Sequence, residues 1–401
     1  MYTVRKVAED LYWVGGNDVR LALFENMHPI PRGVSYNSYL LIDEKTVLFD
    51  AVDWAITQDF IRNVEMVLGD RELDYLVVNH MEPDHCGSIE ELILRYPKLK
   101  IISSEKSFML MHQFNYHVDG HEDQVEEGDT RNFGKHTVTF VAAPMVHWPE
   151  VMMTYDITTG TLFSADAFGS FGALHGALFN DEMNFDRDWI DDARRYYTNI
   201  VGKYGPFVQS ALKKAATIDI KMICPLHGPV WRNDFGYLLD KYDKWSRYEP
   251  EEKGVLIIYG SMYGNTEYAA ESLASLLHDK GMHNVRVYDV SSTDVSYLIA
   301  ETFKYSHIVL ACPTFNLGIY PPMKNYLNDM KALNVQNRTF ALIENGSWAP
   351  QSGTLMSEYL DEELKMMNIM DETLSINSAI TDLDVPDLNS LVDALIEATK
   401  E

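Results

Sequence analysis

The chain has 401 residues, 46% of them apolar and 23% charged, with 60 acidic side chains against 33 basic ones and a formal charge of −27. That length suits two domains at roughly 100–200 residues each. The acidic balance excludes nucleic-acid and anionic-membrane binding, which both need basic clusters, and no stretch approaches the roughly 18 apolar residues that span a bilayer.

Residues 1–16, MYTVRKVAEDLYWVGG, lack the uninterrupted apolar run of a signal peptide, so a cytoplasmic protein is expected. Residues 36–52 read as two strands around a turn at Asp43, Glu44 and Lys45. A short buried strand follows at 74–81, then three more at 137–144, 151–157 and 161–168. Helical patterns fall at about 55–69, 87–96, 187–204 and 233–248. Strands with helices between and after them predict stacked sheets covered by helices. A polar, Glu-rich, Pro-containing stretch at 249–254 precedes a strongly apolar strand and marks a boundary between residues 1–250 and 254–401. Beyond it five strands alternate with helices, at 255–261, 285–290, 307–314, 338–346 and 372–376, with a last helix from about 387. This alternation predicts a doubly wound parallel sheet, whose ligands bind beyond the carboxyl ends of its strands.

Three loops lie at those ends. The first is Ser261-Met262-Tyr263-Gly264-Asn265-Thr266, which carries hydroxyls and an amide but no lysine or arginine. With the free N–H groups of the following helix it can cradle a phosphate; taken alone it also reads as an ordinary capped turn. The others are Pro313-Thr314-Phe315-Asn316-Leu317-Gly318 and Glu344-Asn345-Gly346-Ser347-Trp348. Phe315 and Trp348 offer rings that can stack on a flat cofactor; Trp348 as a core residue is the plainer alternative, at a poor core position. Together these loops resemble the FMN-phosphate loop and the two ring-flanking loops of flavodoxin, over residues about 254–400. The resemblance implies bound FMN, held by the 261–266 loop, by Pro313, Thr314, Phe315, Asn316 and Gly318, and by Asn345, Gly346, Ser347 and Trp348.

The first domain concentrates His80, Glu82, Asp84 and His85 just after a buried strand. His147, Asp166 and His227 occupy the same kind of position, at or just past strand ends. Four imidazoles and three carboxylates exceed the four ligands of one tetrahedral metal; with one carboxylate bridging, they suit two metals. Any one histidine alone is more often structural, and His112, His117, His121 and His136 are expected to be exposed and uninvolved. Tyr196 and Tyr197 can approach the metals from the 187–204 helix, although a buried aromatic on a helix face is the simpler reading. Cys86, Cys224 and Cys312 are too dispersed for a disulfide framework or a four-thiolate site.

This stretch resembles the metallo-β-lactamase signature H-x-H-x-D-H, with Glu82 where zinc hydrolases carry histidine. A carboxylate there makes the site harder and more anionic and favours iron over zinc. That replacement, followed by a flavodoxin-like domain, resembles the flavodiiron proteins (A-type flavoproteins) over nearly the whole chain. The resemblance implies an αββα metallo-β-lactamase-like sandwich and a di-iron centre. One iron would be held by His80, Glu82 and His147, the other by Asp84, His85 and His227, with Asp166 bridging. It further implies reduction of dioxygen to water or nitric oxide to nitrous oxide. A separate donor such as rubredoxin would supply the electrons, and a head-to-tail homodimer or a tetramer would bring each flavin to the irons of another subunit. Two rival readings are a zinc-dependent hydrolase carrying a flavodoxin domain, and an electron-transfer module with a vestigial metal site.

Overall fold

The computed structural model of the protein describes residues 3–400. Its contacts group Met1–Tyr197 with Pro206–Tyr242, and Thr198–Gly205 with Asp243–Glu401.

The first unit holds two larger sheets. One runs in spatial order Arg5–Lys6, Leu11–Trp13, Tyr39–Ile42, Thr46–Phe49, Tyr75–Val77, Lys100–Ser103 and Glu122–Gln124. Its first four strands pair antiparallel and its last four parallel. The switch follows from the connections. Asp43–Lys45 is a tight turn, which only antiparallel strands accept, whereas Thr57–Leu68, Ile89–Arg95 and Glu105–Gln113 are the crossover helices that parallel pairing requires. The second sheet runs Thr130–Asn132, Thr137–Ala142, Met152–Asp156, Thr161–Phe163 and Met222–Cys224, antiparallel except for its last pair. The sheets face each other: Phe163 stacks on Phe49 at 3.8 Å between centroids and meets the Tyr39 ring at 5.6 Å. Such aromatic pairs add about 1 kcal/mol beyond the area they bury. The stacked-sheet expectation therefore holds.

Two features depart from it. The helix expected at 187–204 is broken into Phe185–Asp188 and Ile190–Tyr196, then widens into a π turn at Tyr197–Val201 and tightens at Gly202–Tyr204. Thr198, Ile200, Val201 and Gly202 are all weak helix formers, which explains the loss of α geometry. Several short strands, among them Lys100–Ser103 and Glu122–Gln124, had no sequence expectation.

The second unit carries five parallel strands in the order Val285–Asp289, Glu252–Tyr259, Tyr305–Phe315, Arg338–Asn345 and Met367–Ile376. Numbered along the chain this is 2-1-3-4-5, so the topological switch point lies beside the first strand. Helices Asn265–Asp279 and Val385–Ala398 cover one face, burying Leu273, Leu277, Leu391 and Leu395 against Val255, Ile257 and Val309. A short Gly318–Ile319 strand folds back antiparallel on Tyr305–Phe315, beyond the five expected. Arg338 is 2% exposed and gives its guanidinium N–H groups to the carbonyls of Thr302, Phe303, Tyr248, Gln336 and Asn337 at 2.7–3.0 Å. Burial pulls its pKa down to about 9, still above neutrality.

Candidate metal centre and cofactor pocket

All seven residues singled out in the first domain stand at carboxyl ends of strands. His80, Glu82, Asp84 and His85 follow Tyr75–Val77, the last two on the single turn Pro83–Cys86 that Pro83 opens. His147 lies in the loop after Thr137–Ala142, Asp166 just past Thr161–Phe163, and His227 just past Met222–Cys224. Asp50 pins the first loop: it accepts the Asn79 N–H at 2.7 Å, the Asn79 side-chain amide at 2.6 Å and the His80 N–H at 3.3 Å.

These side chains form two adjoining clusters, His80–Glu82–His147–Asp166 and Asp84–His85–His227, all buried. In the first, Nε2 of His80 and of His147 are 3.2 and 3.0 Å from Glu82 Oε2, and 3.3 Å apart. In the second, Asp84 Oδ2 lies 3.3 Å from Nε2 of both His85 and His227. Asp166 touches both. Its Oδ2 is 3.0 Å from His147 and 3.4 Å from His80, and its Oδ1 is 3.1 Å from His85 and 3.7 Å from His227.

The imidazoles are oriented from behind. His227 Nδ1 donates to the Ser35 carbonyl at 2.8 Å, so Nε2 turns its lone pair inward. His80 Nδ1 meets Glu150 Oε1 at 2.8 Å, and Glu150 also accepts the Met81 N–H at 2.9 Å. Several inward atoms are buried without a hydrogen-bond partner: both oxygens of Asp84, Oδ1 of Asp166, and Nε2 of His85 and of His227. Buried polar atoms rarely stay unpaired, and these are lone-pair donors converging on common points, which is what bound cations satisfy. The electrostatics agree. Burial, then the charges of Glu82 and Asp166, push the Asp84 carboxyl up to about 7 against the pull of His85. Burial also works to raise Glu82, but hydrogen bonds to His147 and His80 hold it well below its ordinary value. Burial lowers His227. The donor set is crowded with negative charge, and two divalent cations fit it.

The alternative reading of Tyr196 is only half right. It is fully buried, yet its ring lies 5.4 Å from that of His227, and its hydroxyl has no hydrogen-bond partner. Tyr197 packs on Tyr242 at 5.0 Å. His136 is a correction: it is 7% exposed and Nδ1 is 2.7 Å from Asp156, because the strand turn tucks it under Asp43, which accepts its N–H. His121 is half-buried, with Nδ1 donating to the Leu99 carbonyl at 2.7 Å, while His112 and His117 are exposed as expected. Sequence reasoning missed Glu25, whose carboxyl burial and the neighbouring Glu82 push up to about 7. It also missed Glu150, although the His147 to Glu150 spacing of three within one short loop was a signal.

In the second unit, one cavity of about 310 Å³ opens at the carboxyl ends of the strands. It is lined by Ser261, Met262, Tyr263, Asn265 and Thr266, by Pro313, Thr314 and Asn316, and by Asn345, Gly346, Ser347 and Trp348. Leu317, Ala349 and Ser378 complete it, whereas Gly264, Phe315 and Gly318 stand in the same loops outside the lining. Gly264 adopts φ +88° at the start of Asn265–Asp279, a left-handed turn that glycine permits without strain. No side chain caps that 15-residue helix, so its first N–H groups are available to an anion beside the Ser261 and Thr266 hydroxyls. Trp348 and Tyr263 are 88% and 91% exposed, which removes the core reading of Trp348 and leaves two ring faces open at the cavity. Ser378 belongs to a fourth loop, tied in by Asn345, which bonds its carbonyl and its N–H and reaches Thr266.

Comparisons with known proteins match both halves. A family described as ODP family beta lactamase matches residues 34–228, which contain all seven donors, and the flavodoxin family matches residues 257–369. The nitric oxide reductase of Moorella thermoacetica is 30% identical over 366 residues, covering 90% of each chain. The anaerobic nitric oxide reductase flavorubredoxin of Vibrio vulnificus is 31% identical over 347 residues, 85% of this chain and 70% of that one. The solved structure of the rubredoxin:oxygen oxidoreductase of Desulfovibrio gigas superposes with a TM-score of 0.91 at 28% identity, covering 99% of this chain and 98% of that one. A two-cluster donor set with glutamate at its second position, in a lactamase-like domain followed by a flavodoxin domain, places this chain in the flavodiiron protein family.

Proposed function

We propose that this oxidoreductase reduces dioxygen to water, nitric oxide to nitrous oxide, or both, at a non-haem di-iron site fed through FMN. The balances are O₂ + 4e⁻ + 4H⁺ → 2H₂O and 2NO + 2e⁻ + 2H⁺ → N₂O + H₂O. When bound, the irons supply paired sites for the diatomic gas and the flavin accepts and releases electrons one at a time. The carrying observation is Asp166, whose two oxygens each face a different imidazole set. It supports one metal on His80, Glu82 and His147, a second on Asp84, His85 and His227, and Asp166 between them.

The remaining chemistry belongs to the chain. Ser35 and Glu150 fix the tautomers of His227 and His80, which holds the Nε2 lone pairs inward through the reaction. Phe24 packs edge-on against the His227 ring at 5.4 Å and Tyr36 at 5.7 Å, so that side is apolar and sheds water. The Tyr196 hydroxyl, with no other partner, is placed to donate a hydrogen bond to a polar group formed there. In the region 254–401, the 261–266 loop and the uncapped helix would hold the FMN phosphate, and the loops at 313–318 and 344–348 would flank its ring.

The zinc-hydrolase reading is disfavoured by Glu82 and by the relatives. Seven buried donors argue against a vestigial centre. No helix among the described residues is long and apolar enough to cross a membrane, which fits the cytoplasmic location proposed here. Cys86, Cys224 and Cys312 are each buried and unpaired, so they cannot form a surface electron relay; a separate donor such as rubredoxin fills that role. A head-to-tail homodimer, alone or doubled, would bring flavin and metals together. The deciding experiment is anaerobic reduction of the purified protein followed by mixing with O₂ and with NO. Two irons and one FMN per chain with fast reoxidation are expected; zinc in place of iron, or no reoxidation by either gas, sinks the proposal.

A further inference from the structure

The open side of the metal centre is formed by two carboxylates and one imidazole. His80, His85, His227 and Asp166 are at most 1% exposed, whereas Glu82, Asp84 and His147 keep 9%, 8% and 7%. Beside them stands Glu25, whose carboxyl interacts with those of Glu82 and Asp84 and with the His147 imidazole. Its side chain is 31% exposed. The three carboxylates thus grade from solvent to interior, and the innermost, Asp84, has both oxygens buried and unpartnered.

Local propensity does not explain a glutamate here. Glu25 and Asn26 are the central residues of a turn in which the Met27 N–H donates to the Phe24 carbonyl, and both have positive φ, 49° and 57°. Such turns favour Asn and Gly, and a glutamate costs about 1 kcal/mol of backbone strain. The hairpin Leu23–Phe24 and His28–Pro29 fixes the position, because Phe24 packs on His227 and on Tyr196, at 5.4 and 6.4 Å between centroids. His28 Nε2 stands 3.8 Å from the Glu25 carboxylate. A carboxylate-lined mouth does nothing for O₂ or NO, which are neutral. It concentrates cations, because clefts of one charge sign focus the field and raise the local counter-ion concentration.

We infer that Glu25 is a capture residue for the incoming metal: with Glu82 it takes a hydrated divalent cation at the mouth and passes it to Asp84 and the imidazoles. The inference rests on the two-metal reading above. Oxygen donors suit this task, because they accept a partly hydrated divalent ion without demanding its final geometry.

The test uses the full-length chain with FMN bound, stripped of metal by a chelator and mixed anaerobically with Co(II), whose ligand-field absorbance reports occupancy. Glu25→Gln should slow uptake about three- to tenfold at low ionic strength, Glu25→Lys should slow it further, and both gaps should narrow as salt rises. Both variants should end at two cobalt ions per chain with the unaltered spectrum. Glu372→Gln removes the same charge from an exposed position in the second unit and should leave the rate unchanged. Uptake by Glu25→Gln at the unmodified rate overturns the inference, as does equal slowing in Glu372→Gln. A lower endpoint or changed spectrum in the Glu25 variants also overturns it, since Glu25 would then be a resident ligand. An unmodified chain that binds fewer than two ions overturns the two-metal reading first, and the inference with it.

Discussion

Asp166 should control metal stoichiometry, because each of its oxygens serves a different imidazole set. Asp166→Ala should lower bound iron from two per chain to one or none, read by metal analysis after gel filtration. Changing an outer partner is milder: Glu150→Gln should weaken metal binding by about 10- to 100-fold, as loss of an imidazole's carboxylate partner does elsewhere, while the fold survives. Tyr196 separates stability from chemistry. Its hydroxyl is buried without a partner, so Tyr196→Phe should leave the metal-free protein unchanged or about 1 kcal/mol more stable, yet slow turnover with gas. A marked loss of stability would instead assign Tyr196 to packing. The donors were legible because four of them crowd into six positions after a buried strand. Glu25 was not, since it sits in the turn of a hairpin whose two-residue strands are too short to read.

At the level of elements, the long strands and helices were legible and the short ones were not. Tyr39–Ile42 and Thr46–Phe49 carry an apolar run around a turn, but Glu122–Gln124 is polar throughout and is a strand only because Lys100–Ser103 pairs with it. The 187–204 helix failed because apolar periodicity persists through residues whose backbone prefers other conformations. The turn at Asp43 offers a pH test. Burial would raise its carboxyl, but the N–H groups of His136, Lys135 and Glu44 outweigh that and hold it below the ordinary range. A depressed carboxyl stabilises the fold fully above its unfolded value near pH 4 and loses that contribution as pH falls through the lower folded value. Asp43→Asn should therefore lower the melting temperature of the metal-free protein at pH 7, and the gap should close toward pH 3. A gap independent of pH would mean that the hydrogen bonds, not the charge, do the work.

For the whole molecule, electrons must pass from the flavin to the metals, and the proposed head-to-tail assembly would supply the route. Light scattering on the active protein should give a dimer or a tetramer; full gas reduction by a monomer would require a path within one chain. The two-part organisation was readable from the change of pattern near residue 250, whereas the packing boundary was not, because it depends on contacts far apart in sequence. Arg338 shows why that boundary matters. One of its five carbonyl acceptors, Tyr248, precedes the first strand of the flavodoxin region, and the Tyr248 hydroxyl also donates to Lys203 O and accepts from Gly205 and Asn334. A gene segment opening at residue 254 would carry the entire nucleotide fold and still strand a buried cation beside a missing partner. Recombination that trades this module between genes is therefore seamless only when the crossover falls upstream of Asp243, and a transplanted copy cut closer should fold poorly however intact its flavin loops are.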